Sequence, residues 1–352
     1  MTYESLKPLI YKLDPENAHA LAEFSMRTLD CIFPGGFSFF AKDCVINDEI
    51  LNQEIFNLNF YNPVGLAGGF DKNATMIRPL SALGFGFLEY GTFTPKPQNG
   101  NEKPRLFRLV EQESIQNAMG FNNKGKDAIA KEVKKVYPFS IPLVANIGKN
   151  KITPNEEAIN DYIILLKEFK DLCDLFVINI SSPNTKNLRD LQSEEFVSTL
   201  FNQAKEITNK PVILKIAPDM NIDSAISLCK SAISAKADGI IMANTSIDYS
   251  LIDNARTFGG ISGRLITQKS ATFFKEVAKE IYQDTILIAS GGIDSAELAY
   301  ERIKNGASLV QIYTAMIFKG PSIVKNINQG LIELLKQDGF NHISQAIGVN
   351  FK

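Results

Sequence analysis

A chain of 352 residues exceeds the usual single-domain length, yet an α/β barrel takes about 250 and leaves room for a small appendage. Hydrophobic residues at 45% and charged residues at 22% suit a folded core and exclude a disordered chain. With 37 basic against 39 acidic side chains, the formal charge of -2 gives no reason to expect nucleic acid as a partner, so any anion site must be local.

The first 19 residues, MTYESLKPLIYKLDPENAH, mix acidic side chains into an apolar pattern and contain no run of about 18 apolar residues. They read as neither a secretory signal nor a membrane span. Leu6, Leu9, Ile10 and Leu13 recur at i, i+3, i+4 and i+7, which predicts a short amphipathic helix. Asp14-Pro15 then restarts a second helix as N-cap and first-turn proline. Ala18, Leu21, Ala22, Leu29 and Ile32 form its apolar side, broadened by Phe24 and Met26, before Pro34-Gly35-Gly36 stops it. A helical hairpin over residues 1–45, ending in the aromatic segment GGFSFF, therefore precedes the rest of the chain. By itself it is a cap for one mouth of the following domain.

From residue 62 onward, short β-rich runs alternate with longer helical segments, the sign of repeated βα units around a parallel sheet. The runs are 64–67, 85–90, 143–146, 175–179, 212–216, 239–243, 286–290 and 309–312. Eight of them predict a closed (β/α)8 barrel over 46–352. A doubly wound open sheet would show a phosphate loop after its first strand, and GFGF at 84–87 enters a strand rather than leaving one. The connection from Thr92 to about Asn122 is too long for a simple βα turn and carries Pro95, Pro97, Pro104, Arg105 and Arg108. Asp294 is the expected N-cap of the helix SAELAYERIKNG, which Gly306 closes. Cys31, Cys44, Cys173 and Cys229 are widely spaced and lie near neither histidine, so they read as reduced thiols and not as metal ligands.

In a barrel the chemistry gathers where the strands end. Those positions hold Lys72, Thr92, Asn146, Asn179, Ser182, Asn184, Lys215, Asn244, Thr245, Gly291, Gly292, Tyr313 and Thr314. The set is rich in amides and hydroxyls and has no histidine, which argues against hydrolytic triads and His-ligated metals and for a planar ligand with alternating donors and acceptors. Asn117, Asn179, Asn184 and Asn244 could read such a ligand, although any single one could instead cap a turn. Lys215 points from a buried strand and needs an anionic or electron-rich partner; the rival reading is a Schiff-base lysine. Lys72 could pair with Asp71 on the surface. SGGI at 290–293, YTA at 313–315 and Gly263 resemble a monophosphate cradle such as FMN uses.

The blocks NPVGLAGGFDK (62–72), EYGTFTPKPQNGNEKPRLFRL (89–109), NAMGFNNKG (117–125), NIGKNK (146–151), INISSPNT (178–185), LKIAPD (214–219), GGISGR (259–264), SGGIDS (290–295) and GASLVQIYTAMIFKGP (306–321) follow in order along nearly the whole chain. Together with DPENAH in front, they resemble the class 2, quinone-dependent dihydroorotate dehydrogenases. The resemblance implies oxidation of dihydroorotate to orotate in pyrimidine biosynthesis, with FMN as prosthetic group. It assigns FMN contacts to Gly68, Gly69, Phe70, Asp71, Lys72, Thr92, Asn146, Asn179, Lys215, Ala243, Gly263, Gly292, Tyr313 and Thr314. At Ala243 some relatives have threonine, so a hydroxyl contact is lost there. Substrate contacts fall on Lys72, Asn117, Ala118, Met119, Gly120, Phe121, Asn179, Asn184, Asn244 and Thr245. Ser182 matches the family base, with Thr185 and a water as its proton relay. Serine in place of the cysteine base of class 1 relatives, together with the N-terminal hairpin, implies a membrane quinone as oxidant and no iron–sulfur partner subunit. The hairpin then implies peripheral attachment to the cytoplasmic face of the cell membrane, with His19, Arg108 and Tyr313 around the quinone head.

Overall fold

Eight runs of Val, Ile, Leu and Phe, buried along nearly their whole length, form the strands of a closed parallel barrel, as expected where helices cover one face and other strands the opposite one. The structure, a computed structural model, describes residues 3–33, 36 and 42–352. Except for Gly36, the GGFSFF segment lies outside the described residues.

The chain begins with α1 (Tyr3–Ile10) and α2 (Pro15–Ile32), followed by a small antiparallel hairpin of β1 (Gln53–Ile55) and β2 (Leu58–Phe60). Next come β3 (Val64–Asp71), α3 (Ile77–Ser81), β4 (Phe87–Phe93), β5 (Leu106–Leu109), β6 (Ser114–Asn117) and α4 (Lys126–Val133). They lead into β7 (Leu143–Ile147), α5 (Ala158–Phe169), β8 (Leu175–Asn179), α6 (Glu194–Ile207), β9 (Val212–Ile216) and α7 (Ile222–Ser234). The remainder is β10 (Gly239–Met242), β11 (Gly260–Gly263), α8 (Thr267–Ile281), β12 (Ile286–Ser290), α9 (Ala296–Lys304), β13 (Leu309–Ile312), α10 (Thr314–Lys319) and α11 (Ile323–Gln337). The barrel runs β3, β4, β7, β8, β9, β10, β12, β13 and back to β3, with registers such as Leu66 to Leu88 and Ile178 to Leu214. All eight expected runs are its strands.

Phe87, Val144, Val177, Ile213, Ile241, Ile288 and Leu309, one from each of seven strands, form a buried cluster with Ile55 and Phe60 of the β1–β2 hairpin. The hairpin therefore plugs the N-terminal end of the barrel, and the Gln53 amide fastens it by donating to the Ser308 carbonyl at 2.9 Å. Gly65 gives the Phe87 ring its room, since a Cβ there would stand 2.1 Å from the ring. With this end filled, the open end is the C-terminal mouth.

Two expectations are corrected. The 92–122 connection is not a plain loop: β5 and β6 pair antiparallel and join β11 in a three-stranded sheet beside the mouth. The N-cap of α9 is Ser295, not Asp294; its hydroxyl accepts the Leu298 N–H at 3.3 Å. Gly306 does follow that helix, at φ +100°.

The N-terminal hairpin forms as expected, although α1 ends at Ile10 and leaves Leu13 in the turn. Asp14 caps α2 by accepting the Glu16 and Asn17 N–H groups, with Pro15 as first residue. No residue of either helix is buried. Polar contacts dock the pair: Arg105 grips Glu16 through two bonds of 2.7 and 3.2 Å, and Tyr3 and Tyr11 both donate to the Ile317 carbonyl. Thr75 donates to Glu23 at 2.7 Å. The apolar residues of the hairpin divide between two faces: Ile10, Ala18, Ala22 and Met26 line the cavity beneath it, whereas Leu9 (65%), Phe24 (67%) and Ile32 (65%) are exposed on the outside. Among the described residues, no helix is long and apolar enough to cross a membrane.

Candidate active site

The strand ends and the hairpin enclose one cavity of about 710 Å³. Every residue to which the sequence assigned a site role lines it except Asn146, Ala118 and the relay candidate Thr185. Ala118 has both backbone groups engaged, its N–H on the Arg105 carbonyl and its carbonyl on the Asn101 amide. Asn146 lies beneath the wall and acts through its neighbours.

The floor is built around Glu89, a residue the sequence did not single out as functional. Its carboxylate is fully buried on β4 and forms an ion pair with Lys215 of β9 at 3.0 Å. The Asn146 and Gln311 amides also donate to it. The partner that Lys215 requires is thus supplied from inside the barrel, and a carboxylate with three donors is a satisfied buried charge. Gly68 lets the β3 backbone pass over this group; a Cβ there would stand 2.3 Å from Glu89 Oε1. The network continues sideways: Thr92 donates to Asn146 Oδ1, and the Asn179 amide donates to Thr92 at 2.8 Å. A buried acidic residue within the apolar run FGFLEY was the available signal for Glu89.

The asparagines cap turns and face the cavity at once. Asn179 Oδ1 accepts the Ser181 N–H, and Asn244 Oδ1 accepts the Thr245 N–H. The Asn184 amide donates to Asn117 at 3.0 Å, and the Asn244 amide to Ser181 Oγ at 2.9 Å. Buried atoms left without a partner among the described residues include Asn184 Oδ1, Thr245 Oγ1, Thr185 Oγ1 and Gln311 Oε1. Leaving buried polar atoms unpaired is costly, so such a group of them beside a cavity fits a ligand that carries its own donors and acceptors. Ser182 is buried in the same wall, and its Oγ accepts the Asn184 N–H at 3.2 Å. The Met119–Phe121 segment opposite is held by Asn101 and Gln98, two further residues the sequence did not single out.

Lys72 does not pair with Asp71, whose carboxylate accepts the Thr75 and Met76 N–H groups instead. Burial pushes the Lys72 ammonium down to about 8, and no hydrogen bond or ion pair holds it among the described residues. It is a cation available to an anionic ligand. His19 meets Phe70 edge to face at 5.0 Å, and burial, then the Lys72 charge, push it down to about 4, so the ring is neutral at pH 7. Among the described residues Arg108 forms no ion pair: it donates to the Leu13 carbonyl at 2.8 Å and lies over the Tyr11 ring. Tyr313 stacks edge-on against Phe70, and burial pushes its hydroxyl up to about 12.

At the far side, Gly292 and Gly263 take φ of +69° and +91°, and a Cβ on either would strike Thr267 or the Glu113 carbonyl and Thr314. The Gly291 and Gly292 carbonyls accept the Ser270 and Thr267 hydroxyls, and both glycines line the cavity. Ser262, Gly263 and Thr314 line the same corner, as expected for a monophosphate cradle. Among the described residues no cluster of His, Cys, Asp and Glu could hold a metal.

Fold and site together define a (β/α)8-barrel enzyme whose C-terminal mouth takes planar and anionic ligands under a helical cap. The family model for dihydroorotate dehydrogenase matches residues 50–335. A dihydroorotate dehydrogenase (quinone) of Nitratiruptor sp. is 56% identical over 352 residues, covering 100% of both chains, and one of Sulfurovum sp. is 55% identical over 351, covering 100% of this chain and 99% of its own. A crystal structure of DHODH from Eimeria tenella in complex with ferulenol matches at TM-score 0.85 and 34% identity, over 98% of this chain and 99% of that one. The chain belongs to the dihydroorotate dehydrogenase family.

Proposed function

We propose that the protein oxidises dihydroorotate to orotate in de novo pyrimidine biosynthesis, with FMN as prosthetic group and a membrane quinone as electron acceptor. The observation that carries this reading is the single cavity in which Ser182, the Lys215–Glu89 floor, the glycine-lined corner and the hairpin's His19 all meet.

FMN, when bound, supplies a hydride acceptor at its N5 atom. Gly263, Gly292 and Thr314 would hold its phosphate, and Gly68 to Lys72, Thr92, Asn179, Lys215, Ala243 and Tyr313 would surround the rest, with Asn146 acting from below. Lys215 sets a fixed positive charge at the floor, where negative charge develops during the reaction. Its pairing with Glu89 opposes the Schiff-base alternative, because an ammonium in a buried ion pair is not a free amine nucleophile. Asn117, Asn179, Asn184, Asn244 and Thr245 would read the carbonyl and N–H edges of the substrate, and Lys72 would meet its carboxylate. Ser182 Oγ takes the proton from the ring carbon next to the carbonyl, from a position buried in the cavity wall. The unpartnered Thr185 hydroxyl is available to relay that proton outward.

Residues 1–45 act as a unit that receives the quinone and the membrane surface. The exposed Leu9, Phe24 and Ile32 support peripheral attachment at a lipid interface, which this reading assigns to the cytoplasmic face of the cell membrane, and the inward Ile10, Ala18, Ala22 and Met26 support an apolar passage for the quinone. His19, Arg108 and Tyr313 line the inner passage, and each carries an N–H or O–H of the kind a quinone carbonyl accepts; the Tyr313 hydroxyl would turn from its long 3.5 Å bond to the Gly69 carbonyl to give it. This route requires no iron–sulfur partner subunit. The purified protein is expected to be yellow, and its visible absorption should bleach on anaerobic addition of dihydroorotate. A colourless protein, or a yellow one that dihydroorotate leaves unbleached, would contradict the assignment.

A further inference from the structure

Arg189 stands in the helical turn after the loop that carries Ser182, and it does not line the cavity. Its Nε donates to the Ser181 carbonyl at 2.8 Å, its Nη2 to the Thr245 carbonyl at 2.9 Å and its Nη1 to Asp219 Oδ2 at 2.9 Å. Ser181 directly precedes Ser182, Thr245 directly follows Asn244, and Asp219 closes the segment that leaves β9 after Lys215. One guanidinium thus spans the loops after three successive barrel strands. Asp219 is itself fixed: Oδ1 accepts the Ser246 hydroxyl at 2.5 Å and faces Lys269 at 3.1 Å, while Oδ2 also accepts the Ile247 N–H at 3.0 Å. Burial alone would raise the Asp219 carboxyl, but the hydrogen bonds from Ser246, Ile247 and Lys269, with the Arg189 charge, hold it below the usual carboxylate range. Lys269 in turn bonds Asp248 at 3.0 Å.

We infer that Arg189 is a positioning residue for proton abstraction: anchored on Asp219, it clamps the Ser182 loop and the Asn244–Thr245 loop at a fixed separation around the substrate. The inference rests on the reading of Ser182 as the base in dihydroorotate oxidation. Its physical basis is the planar fork of the guanidinium, which holds donors in three directions at once; a lysine offers a point charge that can keep Asp219 but not both carbonyls. Through these backbone contacts the clamp governs where Ser182 Oγ lies, and about 1 Å of displacement there costs on the order of 10²-fold in rate.

The test uses FMN-loaded, full-length protein and measures the two half-reactions separately. In R189K, anaerobic reduction of the flavin by dihydroorotate should slow by about 10²-fold. Flavin content, and reoxidation by a short-chain ubiquinone, should stay within about twofold of wild type. A merely structural loss would lower flavin content or slow both half-reactions together, and either result in R189K overturns the inference. So does reduction of R189K at the wild-type rate. Should R189K fail to fold, D219N, which keeps the shape and removes the anchor's charge, carries the same comparison, and a normal reductive rate in it counts against the clamp. If dihydroorotate does not bleach the wild type, the functional reading falls and this one with it; a bleachable wild type with an equally fast R189K overturns the clamp alone.

Discussion

Ser182 Oγ accepts one backbone N–H and faces the cavity, so its removal subtracts a base without disturbing the floor or the glycine-lined corner. Ser182→Ala should keep its FMN and lose about 10²- to 10⁴-fold in the rate of flavin reduction by dihydroorotate. Near-normal single-turnover reduction would assign the proton to another group. Lys215 differs because its loss strands a charge: Glu89 is fully buried and, among the described residues, forms no other ion pair. Lys215→Ala should therefore destabilise the fold by about 3–5 kcal/mol and weaken flavin retention as well as reduction. Adding Glu89→Gln should recover much of the stability but not the reduction rate. A Lys215→Ala protein as stable and as quickly reduced as wild type would remove this lysine from the site.

At the scale of elements, the hairpin and the barrel meet through directional polar contacts, Arg105 with Glu16, Arg108 with Leu13 and the two tyrosines on Ile317, together with a few ring and apolar contacts such as Tyr11 on Phe318 and Met26 on the core, while Leu9, Phe24 and Ile32 are exposed. Such a cap can be removed without opening the barrel core, because neither helix contributes a buried residue to it. Deleting residues 1–40 should leave reduction of the flavin by dihydroorotate largely intact, slow its reoxidation by a long-tailed quinone and weaken binding to liposomes. A truncated, flavin-loaded protein reoxidised by that quinone at the full-length rate would exclude the hairpin as the quinone site. The β5–β6 arm links the two regions: it carries Arg108 toward the hairpin and leads into the Asn117–Phe121 segment of the substrate wall.

For the whole molecule, the cavity lies on the barrel axis with one end plugged by β1–β2, so a ligand bound there contacts the ends of most strands at once. A ligand that binds only the native state stabilises it by mass action, by about 2.7 kcal/mol at 100 times its dissociation constant. Removing FMN should therefore lower the melting temperature by several degrees, with FMN restoring it and riboflavin, at equal concentration, restoring it less for want of the phosphate contacts. Equal rescue by the two would show that the corner at Gly263 and Gly292 does not hold a phosphate. Much of this architecture was legible in the chain itself. The eight strands, the Asp14-Pro15 helix start and the strand-end polar residues depend on periodicity, capping and turn chemistry, which act between near neighbours. The tertiary structure alone decided that Lys215 meets Glu89 across 126 residues, that Gln311 meets it across 222, and that β6 finds β11 to make strands of a segment that reads as a loop. Those pairings arise from barrel closure, which sets the distance between residues far apart in sequence and leaves no trace in the local pattern of either partner.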